Sequence, residues 1–235
     1  MFAKLFKSRN NNTPIKRKSI DKINFNKKSA VVLVGVSCIG KTTFAKNFIA
    51  KHPSFELISY DMCYRETVKQ NAFIPKSDAQ YLAEDLFNNK LFEYQSKNII
   101  IDRIVLNSEE RAKLIHKLHE LDYTVHVVYF TIEYTEKHIR HRQILRSIEM
   151  AIMSQNPDCY ALTMELDINP IEFYASKYNK TLEQVIDEFK YTAAVQNEYL
   201  YQNCAYDREI EKYNVIDQED SGSFMEGADY YYEIT

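Results

Sequence analysis

Residues 30–34, Ala-Val-Val-Leu-Val, run without a break into Gly35-Val36-Ser37-Cys38-Ile39-Gly40-Lys41-Thr42, and residues 42–51 continue with helical spacing. An apolar run of that length, rich in β-branched residues, reads as a strand buried on both faces. The loop that follows matches G-x-x-x-x-G-K-T in the context this motif requires, between a strand and the start of a helix. Its backbone N–H groups wrap a phosphate, and the helix amino terminus adds partial positive charge. Gly35 and Gly40 are half of the four glycines in the chain, and side chains at those turn points would obstruct the approach of an anion to the backbone. Nucleotide contacts are therefore expected from Gly35, Val36, Ser37, Cys38, Ile39, Gly40, Lys41, Thr42 and Thr43. Lys41 is expected to reach the β and γ phosphates, and the Thr42 hydroxyl to hold magnesium. Inside the loop, the β-branched Ile39 beside Gly40 resists positive φ.

Further apolar runs at 55–59, 98–102, 124–130 and 213–216 read as strands. Between them come stripes at helical spacing: Phe44, Phe48 and Ile49; Tyr81, Leu82 and Leu86; Ala112, Ile115, Leu118 and Leu121. Such alternation predicts an α/β fold, a parallel five-stranded sheet with helices on both faces, whose ligands bind beyond the carboxyl ends of the strands. About eighty residues separate the last two runs, far more than a connection needs. The capping residue and proline of Asn169-Pro170-Ile171-Glu172 and the capping box Thr181-Leu182-Glu183-Gln184 mark this stretch as helical. The expected organisation is a basic, flexible arm over 1–28, a domain over 29–217 with a helical lid or insertion at 147–210, and an acidic, disordered tail over 218–235.

Asp61 and Asp102 follow the second and third strands and should reach the crevice at the carboxyl edge of the sheet. A carboxylate there either accepts a proton from an attacking hydroxyl or holds a magnesium-bound water. Aspartate is also a common helix cap and turn former. Beyond the fourth strand, Arg140, Arg142 and Arg146 lie on a predicted helix, with 142 and 146 on one face. Guanidinium groups closing over a nucleotide would neutralise charge on the transferring phosphoryl oxygens, while a solvated helix face accounts for the same letters. His138 and His141 read as surface residues, since nothing pairs them with a nucleophile.

Charge is uneven although its net value is only −3. Residues 1–28 hold Lys4, Lys7, Arg9, Lys16, Arg17, Lys18, Lys22, Lys27 and Lys28 against Asp21 alone, while the six acids of 217–235 meet no base. Such blocks hold too little apolar surface to offset the entropy of ordering. Cys38, Cys63, Cys159 and Cys204 fit neither a disulfide framework nor metal-ligand spacing, which suits a reduced compartment. No apolar run has the length of a membrane helix, and the expected location is cytoplasmic.

Residues 31–146 resemble the kinase domain of the bacteriophage polynucleotide 5′-kinase group and its P-loop relatives, which include the zeta-toxin-like small-molecule kinases. The resemblance rests on the phosphate loop, on "FAKNFIAKHPSFELISYD", on "NIIIDR", and on "NSEERAKLIHKLHELDYTVHVVYFTIEYTE" with the arginines after it. It implies a kinase-type P-loop NTPase core, a three-layer sandwich with strand order 2-3-1-4-5, and ATP and magnesium at Lys41 and Thr42. It further implies that Asp61 activates the acceptor hydroxyl and that Arg140, Arg142 or Arg146 contacts ATP phosphates. Asp102 is expected to hold the metal with Thr42 and to face the substrate with Asp61, and Arg65 and Arg103 are candidates for an acceptor phosphate. Departures from the family pattern are Met62 where a second aspartate is common, and Arg103 and Ile104 after the third-strand aspartate. The phage enzyme's phosphatase domain has no counterpart.

The expected activity is thus transfer of the ATP γ-phosphoryl group to a hydroxyl, foremost the 5′-hydroxyl of a polynucleotide. A nucleotide-sugar or nucleoside kinase and a non-catalytic nucleotide-binding interaction protein are the alternatives.

Overall fold

The structure, a computed structural model, describes residues 15–16, 20, 25, 28–35, 38–71, 74–105, 108–130, 136–156, 168–192, 195–197 and 228–234. The chain divides into two units: 1–131 with 212–235, and 132–211.

In the first unit, strands β1 (Ile15–Lys16), β2 (Ser29–Val34), β3 (Phe55–Ser59), β4 (Asn98–Asp102), β5 (Thr124–Phe130) and β6 (Tyr230–Ile234) form one sheet in the order β1-β6-β5-β2-β4-β3. Every pairing in it is parallel. All six residues of β2 are buried, as expected for a central strand with helices on both faces. The order 55–59, 98–102, 30–34, 124–130 is the one the resemblance implies.

The fifth place in the sheet departs from the sequence reading. It is taken by β6, from the stretch read as a disordered acidic tail, and residues 213–216 lie outside the described residues. Two aromatic contacts and a carboxylate explain why this acidic segment orders. Tyr232 is buried, with its hydroxyl 3.0 Å from His126 Nδ1 on β5. Tyr230 stacks on the same imidazole at 5.0 Å. Asp229 accepts from the Val125 backbone at 2.7 Å and returns its own N–H to the Val125 carbonyl at 3.0 Å, starting the ladder. The basic arm likewise contributes the short strand β1, paired to β6, and Phe25, whose ring packs 4.8 Å from Phe55 and 5.3 Å from His126.

Helices α1 (Lys41–Lys51), α2 (Tyr60–Gln70), α3 (Lys76–Glu93) and α4 (Ser108–Glu120) connect the strands. On α3 the buried stripe is Ala79, Ala83, Phe87 and Leu91, while Tyr81 is 68% and Leu82 38% exposed. Of the stripe expected at 81, 82 and 86, the first two therefore face solvent, and Leu86 is half-buried at the margin of the packed face. Two alanines at i,i+4 spacing bring the α3 backbone close to its neighbours, and burial of Phe87 supplies about 1.5–3 kcal/mol toward holding it there. Such a small-residue stripe is easily outvoted in a sequence by adjacent larger apolar letters.

The second unit contains α5 (Glu136–Gln155), α6 (Pro170–Lys177) and α7 (Leu182–Phe189). Asn169 caps α6 by accepting from Ile171 N at 2.8 Å and Glu172 N at 3.2 Å. The Thr181–Gln184 pair caps α7 reciprocally, at 2.8 and 3.2 Å. Ile148, Ile152, Ile171, Val185 and Phe189 form its own core. The unit begins at 132, ahead of the 147 at which the insertion is expected to start.

Candidate phosphate-binding and phosphoryl-transfer site

The phosphate loop leaves β2 at Gly35 and enters α1 at Lys41. Gly35 is glycine for want of space: a Cβ there would stand 3.0 Å from Phe130 Cβ and 3.1 Å from Ile39 Cγ2. Because the first of these belongs to the stem of a strand residue, which cannot swing aside, Gly35→Ala should destabilise the fold by about 1–3 kcal/mol. Denaturant unfolding of the two proteins measures this, and an unchanged midpoint would mean that the loop yields. Positive φ falls on Cys38 at 64° and on Gly40 at 111°. The reversal therefore skips the β-branched Ile39, which is buried, so its resistance to positive φ is never met. Val36 and Ser37 lie outside the described residues.

Gly40 has no side chain to cap α1, and the first turn of that helix carries no acid. The opening N–H groups, with Thr43 exposed among them, are thus left for an anion. Lys41 is buried and donates from Nζ to the Gly35 carbonyl at 2.8 Å, spanning the loop from end to start. Thr42 donates from Oγ1 to Asp102 Oδ2 at 2.6 Å.

Asp102 closes β4, which lies between β2 and β3, with Ser59 of β3 as its register partner. It is only 8% exposed. Burial pushes its carboxyl above the ordinary value of 3.8; the Thr42 hydrogen bond and the Lys41 charge pull the other way, and the Asp61 charge adds to the rise. Lys41, Thr42, Asp61 and Asp102 therefore form one electrostatic group. Asp61 stands exposed in the first turn of α2. The buried Asp102 carboxylate and the exposed Thr42 hydroxyl bonded to it are hard oxygen donors that suit magnesium. Among the described residues there is no cluster of three or more His, Cys, Asp or Glu for a metal, so Thr42 and Asp102 fit an ion that draws its other ligands from phosphate and water.

The rise at Asp102 has a defined sign. A carboxyl whose folded value is raised favours folding while it is protonated, below 3.8, and that contribution is lost as pH climbs through the folded value. Asp102→Asn should accordingly unfold at a higher temperature than the parent at pH 7, with the gap narrowing toward pH 4. Magnesium should raise the melting temperature of the parent and not of the variant. A variant less stable than the parent at pH 7 would show that the charged carboxylate is a net stabiliser.

The other expected site residues are placed differently. Arg65 is exposed on α2. Arg103 is held by its own partners: Nη1 donates to Glu84 Oε1 at 2.8 Å, and the guanidinium lies 5.0 Å from the Tyr60 ring and 5.2 Å from the Phe87 ring. Sequence reasoning missed Tyr60, Glu84 and Phe87, although the aromatic residue directly before Asp61 was available as a signal. It also missed Arg111, 1% exposed on α4, which donates to the Val105 carbonyl at 2.9 Å and fastens the segment leaving β4. Arg142 and Arg146 are exposed on α5 of the second unit, and the side chain of Arg140 lies outside the described residues.

A family profile for an AAA domain, AAA_33, matches residues 31–155 of the 235, from β2 and the phosphate loop to the end of α5. The chain belongs to this AAA_33 family. The AAA_33 domain here is a P-loop domain on a parallel α/β sheet, and its loop implies nucleotide binding. No curated protein matches the chain. Among solved structures, a chain from the PezAT chromosomal toxin–antitoxin system of Streptococcus pneumoniae is 17% identical, with a TM-score of 0.46 over 60% of this chain and 57% of that one. A proposed kinase from Chloroflexus aurantiacus is 16% identical, with a TM-score of 0.43 over 53% of this chain and 69% of that one. The chain thus spans little more than half the length of the first. Among the described residues, no helix of this AAA_33 protein is long and apolar enough to cross a membrane.

Proposed function

We propose that the chain is an ATP-dependent phosphotransferase that moves the γ-phosphoryl group to a hydroxyl acceptor. The observation that carries this reading is the joining of loop and sheet edge: Lys41 tied to Gly35 and Thr42 to Asp102, with Asp61 near enough to influence the Asp102 carboxyl. In the proposed reaction the acceptor oxygen attacks the γ phosphorus and its proton passes to the Asp61 carboxylate. The bond from the γ phosphorus to the β–γ bridging oxygen breaks, and ADP leaves. Lys41 holds the β and γ phosphates, and the opening amides of α1 bind their oxygens. Thr42 and Asp102 would hold magnesium, which when bound neutralises phosphate charge.

As acceptor we propose the 5′-hydroxyl of a polynucleotide, supported by Arg65 exposed one helical turn beyond Asp61. A second reading, a small-molecule hydroxyl, is favoured by exposed Met62, 55%, and Ile104, 46%, near the two aspartates. Incubation with γ-labelled ATP, magnesium and a panel of 5′-hydroxyl oligonucleotides, nucleosides, nucleotide sugars and simple sugars decides between them. Label in the oligonucleotide supports the first reading, and label confined to a small molecule supports the second. ATP binding without transfer to any acceptor would leave a nucleotide-binding interaction protein.

A further inference from the structure

Arg103 and Glu84 form an arrangement that a merely structural ion pair does not need. The guanidinium is fixed in orientation by Tyr60 and Phe87, both within cation–π distance. Of its five N–H donors, one is used, by Glu84 Oε1; the others make no hydrogen bond among the described residues. The side chain is 23% exposed and that of Glu84 40%, so the pair is open to solvent on its acidic side. Its neighbours in sequence are the two site carboxylates, since Tyr60 precedes Asp61 and Arg103 follows Asp102. A stacked, pre-oriented planar fork with spare donors is the form in which arginine binds phosphate through two parallel hydrogen bonds.

Resting on the kinase reading above, we propose that Arg103 is the anion-reading residue of the acceptor subsite and that Glu84 is its internal competitor. The acceptor then carries a phosphate group besides the hydroxyl that reacts. Phosphate rather than carboxylate is indicated by the competition itself. Glu84 is tethered and so present at high effective concentration, and an untethered carboxylate of equal charge gains nothing by replacing it. A phosphate brings more charge and a third oxygen. Glu84 thereby raises the threshold for weakly charged compounds and sets selectivity, a use of an opposing element as well as an attractive one.

The test follows the side-chain Nε–H resonance of Arg103 in isotope-labelled protein, assigned by its loss in Arg103→Lys, while inorganic phosphate is added to protein whose loop is filled with a non-hydrolysable ATP analogue and magnesium. The resonance should move saturably, and in Glu84→Gln the midpoint should fall about two- to fivefold, the range an exposed ion pair provides. Acetate should move it far less. With any phosphorylated acceptor from the panel that accepts label, Arg103→Lys should raise KM about tenfold and leave kcat within about twofold. An Arg103 resonance indifferent to phosphate in both proteins, an equal response to acetate, or a loss carried by kcat instead of KM would overturn the proposal. If phosphate moves Arg103 while no acceptor takes label, the subsite stands and the transferase reading falls. Transfer to a phosphorylated acceptor with the same KM in Arg103→Lys reverses that outcome.

Discussion

Lys41→Ala is expected to abolish transfer, lowering kcat by about 10³-fold or more, because a positioned cation on the migrating phosphoryl group is worth that much in a water-poor site. The fold should survive. In the structure Lys41 donates to the Gly35 carbonyl, and a hydrogen bond from a charged group contributes about 1.5–3 kcal/mol, less than the stability of a typical domain. Steady-state kinetics with labelled ATP, alongside a thermal melt of the same preparation, separates the two effects. Transfer within about twofold of the parent would remove the phosphate-loop assignment.

Asp61→Asn is expected to lower turnover by roughly 10²- to 10⁴-fold, the contribution of a positioned base. Asn keeps the shape and loses the ability to take the proton. Because Asp61 is exposed in the first turn of α2, stability should change by no more than about 0.5 kcal/mol. ATP affinity should change little, which equilibrium binding of the nucleotide would check. A collapse of ATP affinity with an intact rate in the bound state would instead assign Asp61 to magnesium.

How far such residues can be read from sequence depends on what each one depends upon. Gly35, Lys41 and Thr42 were legible because a phosphate loop is a local motif with its strand and helix on either side. Asp102 was legible because a parallel strand ends where its apolar letters end. The strands 30–34, 55–59, 98–102 and 124–130 are short, mainly apolar and largely β-branched, with Glu56 and His126 as the polar interruptions within them, a pattern that favours buried strands. Strand β6 carries its information in long-range partners: Asp229 in front of it bonds to Val125, and Tyr230 and Tyr232 meet His126. In isolation the same letters only close a stretch, 217–235, that holds six acids and no base. Arg103 follows the strand in sequence, but its tie to Glu84 joins two residues nineteen positions apart, where no spacing rule applies. The buried face of α3 was misjudged because alanine marks close approach only when the neighbouring helix is known.

The pairing of β5 with β6 has a kinetic consequence. His126 lies opposite Tyr230, so about a hundred residues, including the whole of 132–211, intervene before the ladder can close. Pairing β3 with β4 spans 43 residues and β2 with β4 69, whereas β2 with β5 spans 95 and β5 with β6 104, so of these four the β6 join closes the longest loop and β5 keeps an open edge until it forms. During that interval β5, with the sequence Thr-Val-His-Val-Val-Tyr-Phe, is an unprotected edge with high β-propensity and no formal charge unless His126 is protonated, the kind of strand that recruits another chain. Asp229 and Tyr232 thus act against intermolecular association during refolding as much as they hold the finished sheet. The race between the acidic strand's arrival and collision with a second molecule sets how much chain reaches the native state at a given concentration.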